Sequence, residues 1–127
     1  MAVQLNHTIV NALDPAASAR FLSELLGLPE PHRFGPFMVV DLANGVSLDF
    51  IRATADELII EHYAFLVDEA EFDEIFGRIR ERSLPYWGDP AKRQPNEINH
   101  HDGGRGVYWD DPNGHMLEII TRPYGSG

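Results

Sequence analysis

Cysteine is absent from the chain. That excludes disulfides, thiolate metal sites and a cysteine nucleophile, and it fits a reducing cytoplasm. No apolar run approaches the ~20 residues that a bilayer-spanning helix needs. The first ten residues, Met1 to Val10, lack a basic segment followed by an apolar stretch, so they do not read as a signal peptide. Basic residues are scarce, 10 Lys and Arg against 20 Asp and Glu, for a net charge of −10. Phosphate binding needs clustered cations, so nucleic acid and anionic membranes are excluded as expected partners. The nearest approach to a basic cluster, Ala91-Lys92-Arg93-Gln94, is too small to alter that. What is present is 127 residues with 43% hydrophobic side chains, enough for one domain with a real core.

The two halves of the chain resemble each other. In the first, Leu5 to Val10 reads as a strand, Asp14-Pro15 as a helix N-cap with proline in the first turn, and Phe21, Leu22, Leu25 and Leu26 as the helix's apolar stripe. Gly27 and Pro29 end that helix. Asn44-Gly45, a strong hairpin signal, then joins two strands, Phe37 to Ala43 and Val46 to Ile51. In the second half Ile59 to Val67 reads as a strand, and Asp68 caps a helix with Phe72, Ile75, Phe76 and Ile79 on its apolar face. Pro85 stops it. After a loop rich in Gly, Pro and Asn come the strand Gly106 to Trp109, the turn Asp111-Pro112-Asn113-Gly114 and a last strand, His115 to Arg122. Each half is a β-α-β-β(-β) unit, with the acidic stretch Ala55-Asp56-Glu57 as the join. Ser126-Gly127 reads as a loose tail.

His7 stands in the first strand of one half and His62 in the first strand of the other, each after an apolar-polar pair. Glu118 lies in the last strand of the second half, and Asp49 in the last strand of the first. Strand side chains alternate between faces, so each carboxylate points away from its apolar neighbours, which pack on a helix. A carboxylate in an apolar strand is costly unless it is solvated, paired or metal-bound. A lone strand histidine is more often a packing residue, and a lone carboxylate more often faces water. Three such residues at matching places in a repeated unit point instead to a metal. Two imidazoles and a carboxylate with open positions suit Fe(II), and also Mn, Ni or Zn. His7, His62 and Glu118 are the expected ligands, with Asp49 a fourth candidate.

The stretch Gly106-Val107-Tyr108-Trp109-Asp110-Asp111-Pro112-Asn113-Gly114-His115-Met116-Leu117-Glu118 resembles the vicinal oxygen chelate superfamily, which includes glyoxalase I, extradiol dioxygenases and bleomycin-binding proteins. The likeness runs from Leu5 to Ile120. Asn99 and His101, followed by Val107-Tyr108, Asp111-Pro112, Gly114 and Glu118, are similar to the extradiol dioxygenase signature. The resemblance implies an α+β fold: paired βαβββ modules, about 4–54 and 58–123 of a single 1–127 domain, forming a curved, cup-like mixed sheet with helices outside. It implies a homodimer in which two chains complete each cup. It also implies that Glu118 binds the metal, that Tyr108 contacts a substrate oxygen, and that His101 is an acid–base or hydrogen-bonding group beside the substrate. An exposed turn at His100-His101 and a core position for Tyr108 are the alternatives. His115 reads as capping the last strand, and His32 as a solvated loop residue.

Three functions follow as expectations. The favoured one is an Fe(II) enzyme that chelates vicinal oxygens of a small catechol-like substrate and activates O2. A glyoxalase-like lyase or isomerase on Ni, Zn, Mn or Co is the second, with Asp49 standing where glyoxalase I has a Glu ligand. The third is a metal-free drug-binding protein with Phe37, Tyr86, Trp87 and Trp109 as an aromatic pocket. A fosfomycin thiol transferase is disfavoured, because its Gly/Ser-rich potassium loop is not evident.

Overall fold

The computed structural model describes residues 2–127. The chain divides into two compact units, one ending at Ile59 and the other running from Ile60 to Gly127. Both are built the same way, a strand and a helix followed by three strands.

In the first unit β1 (His7–Ala12) leads to α1 (Pro15–Leu26), then β2 (His32–Phe34), β3 (Phe37–Asp41) and β4 (Ser47–Arg52). The Asp14 side chain accepts from Ala17 N at 3.1 Å and so starts the helix. Gly27 ends it in the left-handed region at φ 69°, where only glycine is free of strain. The sheet order is β1-β4-β3-β2, with β1 parallel to β4 and the other pairs antiparallel. Leu22 and Leu25 of α1 are buried with Val10, Val40, Leu48 and Phe50, the alternate residues of the strands.

The second unit repeats this with β5 (His62–Leu66), α2 (Glu69–Glu81), β6 (Tyr86–Trp87), β7 (Gly106–Asp110) and β8 (Met116–Ile120), in the sheet order β5-β8-β7-β6. Asp68 and Glu71 form a reciprocal capping box at the start of α2. Phe72, Ile75 and Ile79 of α2 are buried, as are Val107, Trp109, Leu117 and Ile119 of the strands. The α+β class and the paired βαβββ units are as expected, each unit carrying its own four-stranded mixed sheet.

Several local readings change. His32 is not in a loop but on the edge strand β2, where its ring is 3.5 Å from the Asp41 carboxylate. β6 pairs with β7 where the sequence showed only a loop. The segment after β8 is not loose: Ser126 N and Oγ both donate to Pro123 O, at 3.2 and 2.6 Å.

Candidate functional site

Register decides which side chains share a face. In the second unit Trp87 pairs with Tyr108, Tyr108 with Glu118, and Glu118 with Ala64, one row across all four strands on the face away from α2. The adjoining row carries Asp110, Met116 and His62. Tyr86 and Trp109 lie on the opposite face. The Tyr86 ring meets Phe76 of α2 edge-on at 5.0 Å, and Trp109 is fully buried with no hydrogen-bond partner for its Nε1. The expected aromatic pocket is therefore corrected, because Tyr86 and Trp109 face the helix, Trp109 as full core and Tyr86 half-buried.

Glu118 is 1% exposed, yet both carboxylate oxygens are engaged. Oε1 stands 3.0 Å from His62 Nε2, and Oε2 accepts from the Tyr124 hydroxyl at 2.5 Å. Tyr124 donates its one O–H to Glu118, so Tyr108, whose hydroxyl is 3.3 Å from that of Tyr124, donates in turn to the Tyr124 oxygen. The Tyr108 ring is stacked on His62, centroids 6.0 Å apart. Burial, and then the hydrogen bond to Tyr124 and the Glu118 charge, push the Tyr108 hydroxyl far above the usual phenol range. Burial and the bond to Glu118 raise Tyr124 in the same direction. Both act as hydrogen-bond donors rather than as phenolates.

His62 carries the clearest chemical signal. Its Nδ1 lies 3.0 Å from the Met116 carbonyl, which can only accept, so Nδ1 bears a proton. Nε2 then faces a carboxylate oxygen. That contact is favourable only if a proton or a metal cation lies between the two atoms. Two donors about 2.1 Å from one ion at a right angle stand about 3.0 Å apart, which matches the spacing of Nε2 and Oε1. A shared proton and a shared divalent metal are both compatible with that pair, an imidazole nitrogen and a carboxylate oxygen being donors that such metals take.

The first unit presents a related face. His7 pairs with Ser47, and Asp49 lies two residues further along β4, the register in which His62 pairs with Met116 and Glu118 follows two residues on. Here the carboxylate does not meet the imidazole. His7 Nδ1 bonds Asn6 Oδ1 at 2.7 Å, and Asp49 Oδ1 accepts from Ser47 Oγ at 2.8 Å. These residues, with His32, Phe34 and Phe37, line an open cavity of about 330 Å³.

The structure thus brings together His62, Glu118 and Tyr108 of the expected site, while His7 and Asp49 share the cavity of the first unit. Among the described residues no group of three or more His, Asp or Glu side chains is gathered around one point. His101 lies exposed at the start of a 3-10 turn, His101–Gly103, and bonds through its backbone to Asn99 Oδ1 and Gly104 N. His115 is fully buried, its Nδ1 accepting from Glu61 N at 3.0 Å, so it braces the approach to β5. Asp111 Oδ1 accepts from Asn113 N and His115 N, both at 2.8 Å. The Asp-Pro-Asn-Gly-His motif is thus a turn-building device that delivers β8 in register. Tyr124 was not foreseen; it follows the strand pattern in a Pro-Tyr-Gly turn, where periodicity carries no signal.

The sequence matches the model of the Glyoxalase/Bleomycin resistance protein/Dioxygenase superfamily over residues 4–119. It is 64% identical to the solved structure of oxidase ChaP-H1, the likeness covering 98% of this chain and 99% of that one with a TM-score of 0.94. For oxidase ChaP-H2 the identity is 61%, the coverage 100% and 99%, and the TM-score 0.96. Glutathione transferase FosA of Serratia marcescens is 32% identical over 124 residues, 94% of this chain and 81% of that protein. The expectation of an enzyme agrees with these relatives, all named for catalytic activities.

Proposed function

Because the chain belongs to the Glyoxalase/Bleomycin resistance protein/Dioxygenase superfamily, we propose that it is a metal-dependent enzyme of the extradiol-dioxygenase-like kind, binding a small substrate through two adjacent oxygens and oxidising it with O2. The observation that carries this reading is the 3.0 Å approach of His62 Nε2 to the buried Glu118 Oε1, which requires a shared positive charge. Kinship at 61–64% identity with two proteins named oxidases supports the choice of oxygen chemistry.

His62 Nε2 and Glu118 Oε1 would hold the ion, with His7 as third ligand and Asp49 as a further candidate. When bound, Fe(II), the favoured ion, supplies Lewis acidity toward adjacent oxygens and a redox centre for O2; Mn, Ni or Zn suit the same donors. Tyr108, protonated and stacked on His62, would turn its single O–H from the long 3.3 Å bond to Tyr124 toward a developing substrate oxygen charge. His101, exposed on its turn, would serve as an acid–base or hydrogen-bonding group beside the substrate. The His7 cavity, at about 330 Å³, falls in the small-ligand range, with Phe34 and Phe37 as apolar wall and Ser47 and Asp49 as polar contacts. A cytoplasmic homodimer, with modules from two chains completing each site, is part of the proposal.

The test is elemental analysis of anaerobically purified protein, followed by O2 uptake with a panel of catechols. Near-stoichiometric iron with O2 consumption is expected, and His62→Ala and Glu118→Ala should each abolish metal uptake. Retention of metal by both variants would remove the ligand assignment. Nickel, zinc or manganese without O2 uptake would favour a lyase or isomerase using Asp49. A protein without metal that still binds ligand after His62→Ala would be a binding protein.

A further inference from the structure

The metal reading gives no role to Tyr124, a residue 62% exposed whose hydroxyl nevertheless reaches the buried Glu118 Oε2. An exposed residue aimed at a buried carboxylate needs something to hold it there, and the segment after β8 provides it. Proline fixes φ at Pro123, and Gly125 turns the chain at φ 77°, a conformation that favours glycine. Ser126 closes the turn on Pro123 O. Arg122 Nη2 donates to Ser126 O at 2.9 Å, and Gly127 N reaches Asp102 Oδ1 at 3.4 Å, tying the turn to the His101–Gly103 segment.

We infer that Tyr124 is a positioning residue for the metal, holding Glu118 Oε2 so that only Oε1, beside His62 Nε2, faces the ion. This rests on the metal reading above. A carboxylate bound through one oxygen fills one coordination position, and through both oxygens it fills two. By keeping Oε2 engaged, Tyr124 preserves a position for the second of two adjacent substrate oxygens. Tyr108, donating to Tyr124, orients that hydroxyl toward Glu118. The same division is made at His62, where Nδ1 is committed to Met116 O and Nε2 is left for the ion. Hydrogen-bond partners of metal ligands govern affinity in this way.

The experiment is Mn(II) titration of the full chain and of Tyr124→Phe, followed by electron paramagnetic resonance of free Mn(II), with the visible spectrum of the Co(II)-loaded forms. Tyr124→Phe should bind Mn(II) about 10–100-fold more weakly, and its Co(II) bands should weaken as the freed oxygen enters the coordination shell. Gly125→Val keeps the tyrosine but strains the turn, since its added side chain meets nothing within 4 Å and φ alone opposes it. It should show the same losses in direction. An unchanged Kd or an unchanged Co(II) spectrum in Tyr124→Phe overturns the inference, as does a drop in thermal midpoint as its sole effect. If Tyr124→Phe does not fold, the same two outcomes are read on Gly125→Val. Wild-type protein that takes up no metal removes the metal reading and this inference together. Wild-type binding with unaffected variants removes this inference alone.

Discussion

At Glu118 a carboxylate almost without exposure sits in a strand between Leu117 and Ile119, both buried. Such a charge is tolerated only where it is answered, and His62 and Tyr124 answer one oxygen each. Tyr108 stands behind Tyr124 and is stacked at 6.0 Å on His62, so its ring and its hydroxyl have separable parts to play. Tyr108→Phe keeps the ring stacking and should leave metal stoichiometry intact, while turnover falls about 10²–10³-fold, the usual loss of one oxygen-charge donor. Steady-state kcat beside metal analysis checks this; unaltered turnover would show that the hydroxyl serves only Tyr124. Glu118 and His62 were legible in the sequence because strand alternation places both on one face and a polar residue on that face stands out. Tyr124 was not, since its role depends on where a short turn folds back.

Among the elements, α2 is tied to the start of β7 by Arg105. Its guanidinium donates to the Glu69 carboxylate at 2.7 Å, the Asp73 carboxylate at 2.8 Å and the Glu69 carbonyl at 3.1 Å, and lies 4.3 Å from the Phe72 ring centre. The Thr121 hydroxyl and then Arg105 hold Glu69 below its ordinary carboxyl range. A depressed folded value means the contribution to stability is fully present above the unfolded value of about 4.3 and is lost as pH falls through the folded one. The wild-type thermal midpoint should therefore fall more steeply below about pH 4.3 than that of Glu69→Gln, whose group does not titrate. Parallel curves from calorimetry between neutral and acid pH would show that the exposed pair contributes nothing, as many surface pairs do. The helices themselves were readable from their caps and stripes, with Asp14, Gly27 and Asp68 where the chain signals them. β2 and β6, three and two residues long, were not, because neither gives a periodicity of two room to show.

For the whole molecule, the first unit leaves Ile9 and Phe34, which line the His7 cavity, at least half exposed. Apolar side chains on a sheet face call for a partner surface, and the proposed homodimer supplies one. Light scattering should give twice the chain mass of 14.3 kDa, and Ile9→Glu should shift the protein toward the monomer and weaken metal binding with it. A wild-type monomer that holds stoichiometric metal would remove the dimer from the proposal. The sequence by itself determined the paired βαβββ units, the helix caps, and the candidacy of His7, His62 and Glu118, because alternation, capping and repeat position are properties of neighbouring residues. Tertiary structure alone decided that Trp109 is core, that His115 braces a backbone rather than a ligand, and that Tyr124 meets Glu118. Those outcomes depend on strand register and on chain reversal, which bring together residues that no local pattern links.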